Sequence, residues 1–131
     1  MTAQVGTRVV HRCYVSYDHA HYAGNLVDGA YALARFGDAA TELCIVSDGD
    51  EGLLAGYDEV AFLAPIRCGD VLEVAAEIVA VGTRSRRVRF TATVVARGAA
   101  SPERPGAAGL LPEPLLATTA IGTVVVPDTL R

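Results

Sequence analysis

The sequence predicts an α+β fold in which an antiparallel sheet wraps around one long helix. Three observations support this prediction. A strand-like segment opens the chain, one long segment with helical periodicity follows it, and consecutive β-branched segments with short turns occupy the rest. The sequence pattern has no crossover helices between those later segments, which excludes a doubly wound parallel sheet.

The first strand is predicted in RVVHRCYVSY, residues 8–17. The two-residue period of a strand would place His11, Cys13 and Val15 on one face. The next segment, DHAHYAGN, has the composition of a turn and ends at Asn25. Asparagine is a favourable N-cap, so the helix is predicted to start there and to run to about residue 46.

Two sets of residues recur along this helix at steps of three and four. The first set is apolar or small and predicts a buried face; it comprises Leu26, Ala30, Leu33, Gly37, Ala40 and Cys44. The second set is mostly polar and lies opposite; it comprises Asp28, Tyr31, Arg35, Asp38 and Glu42. The helix is therefore predicted to have one face for packing and another for polar contacts.

Strands are predicted in succession after the helix. Residues 53–66 fit one or two strands, and residues 71–82 and 86–97 fit one each. Residues 98–114 are rich in proline and glycine, which predicts a long flexible loop or a loose hairpin. Residues 115–126 are predicted to form the final strand.

This order of elements fits the hot-dog fold. The 131 residues are enough for a single domain with one core. Because one sheet leaves the helix and an edge strand partly uncovered, we expect a homodimer or a higher homo-oligomer.

Composition narrows the classes of function. The net charge of −4 argues against a nucleic-acid partner. No stretch approaches the roughly 18 apolar residues of a membrane span, and the N-terminus resembles no signal peptide, so a cytoplasmic location is expected. All 11 basic residues are arginine, so Schiff-base chemistry on a lysine is excluded. Three cysteines without paired spacing suggest reduced thiols.

Asp38 and Glu42 lie one helical turn apart on the polar face. If the sheet and a partner subunit enclose the helix, these carboxylates need partners or a chemical task. Two neighbouring carboxylates suit proton transfer. The alternative is a solvated face on which Arg35 pairs with Asp38 or Asp28.

The segment before the helix contains further candidates. Backbone N–H groups near Gly24 and Asn25, at the positive end of the predicted helix, could bind an oxyanion. A simple turn explains Gly24 equally well. His21 is a candidate for a site at the helix start, whereas His19 is interpreted as a loop residue. No metal site is predicted, because the sequence lacks CxxC and HExxH patterns.

Four arginines are concentrated in TRSRRVR, residues 83–89. Strand alternation places Arg84 and Arg86 on one face and Arg87 and Arg89 on the other. A solvated strand face is the ordinary interpretation. The functional alternative is a clamp for a phosphorylated cofactor, since guanidinium groups match phosphate oxygens.

Three segments resemble the hot-dog-fold 3-aminobutyryl-CoA and β-alanyl-CoA ammonia lyases: DHAHYAGNLVDGAYALARFGDAATEL, SDGDEGLLAGYDEVAFLAPIRCGD and VGTRSRRVRF. The likeness resumes at ATTAIGTVVVP and does not include residues 98–114. The resemblance implies reversible elimination of ammonia from a 3-aminoacyl-CoA to give a 2-enoyl-CoA. It implies no permanently bound cofactor, since CoA arrives as part of the substrate. It also implies that ammonia is the second reactant.

The same resemblance suggests roles for individual residues. Asp38 occupies the place of the catalytic carboxylate of related hot-dog thioesterases, and Glu42 departs from the thioesterase pattern and is tied to amine handling. His21 is a further candidate for a catalytic residue. The remaining candidates are Gly24, Asn25 and Tyr31 for oxyanion or substrate binding, and Arg86 or Arg87 for CoA.

Three other functions remain possible from the sequence. The main alternative is an acyl-CoA or acyl-carrier thioesterase, which would share the fold and Asp38. An enoyl-CoA hydratase is disfavoured because Asp18 and His21 lack the D-x-N-P-x-H spacing. A noncatalytic acyl-CoA binding module would bind CoA esters without turnover.

Overall fold

The computed structural model describes residues 3–127. In chain order, the elements are β1 (Arg8–Tyr14), a short 3-10 helix (Tyr17–His19), α1 (Gly29–Asp48), β2 (Leu53–Phe62), β3 (Val71–Val81), β4 (Ser85–Gly98) and β5 (Ala108–Val125). The strands form one antiparallel sheet in the order β1-β3-β4-β5-β2. The predicted antiparallel sheet with one long helix is therefore confirmed.

Helix α1 starts three residues later than predicted. Its N-cap is Asp28, whose Oδ1 accepts a hydrogen bond from the Tyr31 N–H at 3.1 Å. The predicted cap, Asn25, instead has a φ of 60° and lies in the preceding turn, so that prediction is wrong. The helix ends at Gly49, whose left-handed conformation is typical of a C-cap. No helix in residues 3–127 is long and apolar enough to cross a membrane.

The buried face of α1 differs in part from the predicted face. Ala40 and Cys44 are buried as predicted, whereas Ala30 is exposed. The buried residues of the helix are Tyr31, Ala32, Phe36, Ala39, Ala40, Leu43, Cys44 and Ser47. The large side chains Phe36 and Leu43 determine which side of the helix turns inward, because their burial contributes more free energy than that of alanine or glycine.

The sheet presents its inner face to the helix. Alternation along two neighbouring strands buries Leu72, Val74, Ala76 and Ile78 of β3 and Val88, Phe90, Ala92 and Val94 of β4, and Ala75 of β3 is buried as well. Phe36 of α1 stacks on Phe90 with ring centroids 5.1 Å apart. This contact places the middle of the helix over the middle of the sheet.

Residues 98–114 belong to a hairpin, the second of the two predicted possibilities, and do not form one long loop. β4 extends to Gly98 and β5 begins at Ala108, so that the irregular connection is limited to residues 99–107. Two of the four prolines in this segment, Pro112 and Pro114, lie where the register changes between Val94 and Ala96. A bulge tolerates proline because its backbone N–H is not needed in the ladder.

A buried ion pair joins the end of α1 to β4. The Arg86 guanidinium donates to both carboxylate oxygens of Asp48, at 3.1 Å and 2.6 Å, and also to the carbonyls of Gly82 and Ser85. Both side chains are more than 90% buried. Arg86 is therefore engaged inside the protein, and these contacts argue against its predicted role in CoA binding.

Replacement of Arg86 should destabilise the fold. Because Asp48 would stay buried without its partner, we expect Arg86→Ala to lower the free energy of unfolding by about 3 to 5 kcal/mol. Urea unfolding followed by circular dichroism measures this change. The control is Arg84→Ala, which removes an exposed arginine two residues away. Equal stability of the two variants would contradict a structural role for Arg86.

Acid should weaken the same pair. The hydrogen bonds from Arg86 hold the pKa of the Asp48 carboxyl below its ordinary value of 3.8. The stabilisation is therefore complete above about pH 5, roughly one unit above the ordinary pKa, and is lost as the pH falls through the lowered pKa. We expect the stability difference between the wild-type chain and Arg86→Ala to shrink between about pH 5 and about pH 3 in urea titrations. A difference independent of pH would contradict this assignment.

Candidate active site

The chain makes a tight turn just before α1. The N–H groups of His21 and Tyr22 donate to the Leu26 carbonyl, at 2.8 Å and 2.9 Å. Gly24 and Asn25 both have positive φ in this turn. Since α1 begins only at Gly29, the N–H groups of Gly24 and Asn25 are not those of the helix N-terminus. Their role in binding stays a prediction, without the support of the helix dipole.

An apolar cavity of about 480 Å³ lies beside the start of the helix. Its wall is formed by the turn, the first helical residues, the end of β2 and the segment after β2; it comprises Tyr22, Leu26, Val27, Asp28, Gly29, Ala32, Phe62, Leu63, Ala64, Pro65, Ile66 and Thr118. The Phe62 ring packs so closely on Gly29 that a Cβ there would lie 2.7 Å from the ring. Glycine is therefore required at this position unless the ring moves.

A buried ion pair holds the segment that closes this cavity. Arg97 of β4 donates two hydrogen bonds to the fully buried Asp70, at 2.9 Å and 2.8 Å, and one to the Pro65 carbonyl at 3.1 Å. Asp70 also accepts from the Arg67 N–H at 2.8 Å. These contacts fix residues 65–70 as a rigid wall.

Asp38 and Glu42 lie farther along α1 and contact different cations. An Arg35 nitrogen is 3.5 Å from Asp38, as one of the sequence interpretations proposed. Glu42 Oε1 is 2.6 Å from His11 Nε2 on β1. The Asp38 side chain is 67% exposed and that of Glu42 is 51% exposed in the single chain. Within one chain, neither carboxylate is enclosed, so enclosure would have to come from a second copy.

A second cavity, of about 330 Å³, lies between β1 and the middle of α1. Its lining includes charged and thiol groups together: His11, Arg12, Cys13, Arg35, Asp38 and Val74. Asp38 is therefore part of a concave polar surface rather than a flat one. Glu42 is connected to the same surface through His11.

Tyr31 is buried rather than available on a polar face. Its ring packs below the Arg35 guanidinium, which is 5.2 Å from the ring centroid, and the His19 ring contacts it edge-on at 4.9 Å. Burial raises the pKa of the Tyr31 hydroxyl. Burial also raises the pKa of the neighbouring Cys13 thiol, and a hydrogen bond with Tyr31 partly opposes that rise. Tyr31 therefore supports the floor of the second cavity.

His21 lies at the other end of the helix from the carboxylates. Its Nδ1 is 3.9 Å from Asp28 Oδ2 at the helix cap. Asp28 and Asp38 are ten residues apart in the sequence, which corresponds to roughly 15 Å along a helix. His21 therefore accompanies the apolar cavity and does not join the carboxylates of its own chain.

Arg87 differs from Arg86 because it points to the outer side of the sheet. One of its terminal nitrogens donates to Asp58 at 2.9 Å and to Thr123 at 3.3 Å, and its side chain is 41% exposed. Within β4 the alternation predicted for the arginines is confirmed, since Arg86 is buried while Arg89 is exposed; Arg84, predicted on the face of Arg86, lies before the strand and is exposed. CoA binding by Arg87 stays a prediction.

The sequence interpretation missed two residues near the carboxylates. His11 was placed on one strand face with Cys13, but its contact with Glu42 was not anticipated. Tyr57 of β2 donates to the Leu33 carbonyl of the helix at 2.6 Å. Burial, and to a smaller extent the charge of Asp38, raises the pKa of Tyr57. Strand alternation could have indicated His11, whereas no local pattern indicates Tyr57.

Metal ligation was not expected from the sequence. Within residues 3–127, no three side chains of histidine, cysteine, aspartate or glutamate are grouped so that they could hold a metal ion. The absence of a metal from the functional site remains a prediction.

Comparisons with known proteins agree with the fold. The family model of the thioesterase superfamily matches residues 25–100. The 3-aminobutyryl-CoA ammonia lyase of Acetoanaerobium sticklandii is 45% identical over 115 residues, which cover 86% of this chain and 89% of the relative. The structure of the β-alanyl-CoA:ammonia lyase from Clostridium propionicum superposes with a TM-score of 0.86 at 37% identity, covering 94% of this chain and 87% of that one.

A more distant structure supports the fold alone. A hexameric hot-dog-fold thioesterase of Campylobacter jejuni superposes with a TM-score of 0.73 at 19% identity, covering 95% of this chain and 84% of that one. The family model and the two lyases together establish the relationship of this chain. It belongs to the thioesterase superfamily of hot-dog proteins and, within it, to the family of the 3-aminobutyryl-CoA and β-alanyl-CoA ammonia lyases.

Proposed function

We propose that this protein is a carbon–nitrogen lyase that reversibly eliminates ammonia from a 3-aminoacyl-CoA to give a 2-enoyl-CoA. The observation that carries the proposal is the pair of carboxylates, Asp38 and Glu42, on one turn of the central helix in a chain of the ammonia lyase family. A thioesterase needs an activated water, whereas elimination needs a base and an anion for the amine. Two neighbouring carboxylates match the second requirement.

The reaction balances with one base. A carboxylate removes the α-proton, and the electron pair moves toward the thioester oxygen, which hydrogen-bond donors stabilise. The carbon–nitrogen bond then breaks, its electron pair stays on nitrogen, and ammonia leaves. The protonated carboxylate returns its proton to the ammonia, giving ammonium. The second carboxylate holds the charged amine before it departs.

The apolar cavity is the proposed site of the acyl thioester. Its lining is mainly apolar, as suits an acyl chain and the pantetheine arm. Gly29, in the first turn of α1, belongs to its lining, and the N–H groups of Gly29 and Ala30 at the helix start are the proposed donors to a developing oxyanion. These groups replace Gly24 and Asn25 as the donors nearest to the helix dipole.

The distance along α1 requires a second copy of the chain. The apolar cavity adjoins Gly29, whereas Asp38 lies nine residues further on, roughly 14 Å along the helix axis. A thioester at the helix start is therefore too far from the carboxylates of its own chain for proton transfer. We infer a composite site in which one subunit binds the thioester and its partner supplies the carboxylates.

The edge strand β2 is the proposed contact between the copies. It pairs with β5 on one side and lies at the end of the sheet. Large apolar side chains are exposed on it or just after it: Leu53, Leu54, Val60, Phe62 and Leu63. An exposed apolar edge pairs readily with another strand, and a second β2 satisfies its backbone groups. Further assembly is open, and the C. jejuni relative is a hexamer.

Arg67 is a nearer candidate for the CoA phosphates than the arginines of β4. Its backbone pairs with Leu26 of the cavity wall, and its side chain is exposed. Arg87 remains the second candidate. A cytoplasmic location, where CoA esters are available, also stays a prediction.

The nature of the product distinguishes the lyase from the thioesterase. With crotonyl-CoA and ammonium, we expect loss of the enoyl absorbance without release of free thiol, because the double bond is aminated and the thioester stays intact. Ultraviolet absorbance and a thiol reagent measure the two changes in one sample. Thiol release at the rate of substrate loss would identify a thioesterase, and tight binding without either change would identify a binding module.

Removal of either carboxylate should abolish most of the turnover. We expect Asp38→Asn and Glu42→Gln each to lower kcat by about a hundredfold or more, the range for loss of an acid or base. Steady-state kinetics measure the loss, and size-exclusion chromatography checks the assembly. The control is Glu103→Gln in the exposed connection between β4 and β5. Unchanged rates in both carboxylate variants would remove them from the mechanism.

A further inference from the structure

His11 and Glu42 form a contact between two different elements of the fold. His11 lies on the face of β1 that is directed toward α1, and β1 is held in register by β3, with His11 opposite Val74. The 2.6 Å between Nε2 and Oε1 is within hydrogen-bond range for a charged acceptor. The contact therefore ties a flexible glutamate to the sheet.

Asp38 has no comparable anchor among the contacts of the described residues. Its ion pair is with Arg35 of the same helix, three residues away, at 3.5 Å. That pair does not fix Asp38 relative to the sheet. A base that removes a carbon-bound proton must be held close to its ideal geometry, since a misplacement of about 1 Å costs about a hundredfold in rate. Of the two carboxylates, Glu42 is the one that the fold holds in this way.

Histidine suits this task better than arginine would. A neutral imidazole that donates its Nε2–H leaves the glutamate negatively charged and directs its other oxygen outward. The arrangement follows the general pattern of a base oriented by a further polar group. A permanent cation at the same place would stabilise the charged carboxylate and so weaken Glu42 as a base.

We propose that His11 is a positioning residue that holds Glu42 as the base for the α-proton, while Asp38 holds the substrate ammonium. This inference rests on the proposed lyase function. Glu42 Oε2 accepts the α-proton and returns it to the departing ammonia, and His11 keeps its own proton throughout. His11 acts only through Glu42 and touches no substrate atom.

The experiment measures kcat and KM for elimination from 3-aminobutyryl-CoA. His11→Phe keeps a ring but lacks a donor, so kcat should fall about ten- to a hundredfold, the range for loss of a hydrogen bond to a charged group. KM should change less than about twofold. His11→Gln, whose side-chain amide can donate, should recover part of the rate. His11→Phe combined with Glu42→Gln should be no slower than Glu42→Gln alone.

The matched control is Glu73→Gln, which breaks the 2.6 Å ion pair between Arg12 of the same strand and Glu73. It should leave kcat unchanged. Thermal unfolding checks that every variant folds. If His11→Phe does not fold, the same comparison is made with His11→Gln, alone and combined with Glu42→Gln. If the wild-type protein turns over and His11→Phe has the same kcat, this inference is overturned while the proposed function stands. The same holds if the kcat losses of His11→Phe and Glu42→Gln add in the double variant. A wild-type protein without elimination or amination overturns the proposed function and this inference with it.

Discussion

The packing of Phe36 on Phe90 fixes the relation between the helix and the sheet. Both side chains are fully buried, and each contributes about 1.5 to 3 kcal/mol by leaving water. With this contact made, the helix cannot rotate without exposing a phenylalanine. Asp38 and Glu42, two and six residues beyond Phe36, must then face away from the central strands and toward β1 or solvent. The placement of the carboxylates therefore follows from a purely apolar contact.

Sequence patterns predicted what depends on local periodicity. Alternation identified the inward face of β1, and the spacing of Asp38 and Glu42 brought the two carboxylates onto one turn. The patterns failed where a distant residue decides the outcome. Asn25 has the composition of an N-cap, but Asp28 takes that place, and the Asn25 carbonyl instead accepts a hydrogen bond from the Cys68 N–H. No local rule contains the partner that settles such a choice.

The arginines illustrate the same limit more sharply. Arg86 and Arg87 are adjacent and chemically identical, so composition cannot separate a core residue from a surface residue. Alternation places them on opposite faces, but only the presence of Asp48 at the end of α1 makes the inward position tolerable for a charge. A guanidinium without that partner would be costly to bury. Assignment of arginines to a phosphate therefore requires knowledge of which acids the fold brings to them.

The start and the middle of α1 carry different parts of the proposed chemistry. Its start, beside Gly29, adjoins an apolar cavity and provides backbone donors, whereas its middle carries Asp38 and Glu42 next to β1. One helix cannot bring these parts together, because a straight rod keeps them roughly 14 Å apart. We propose that two antiparallel copies across a shared sheet edge bring the start of each helix near the middle of the other. In that dimer, two-fold symmetry produces two identical sites, each built from the start of one helix and the middle of the other.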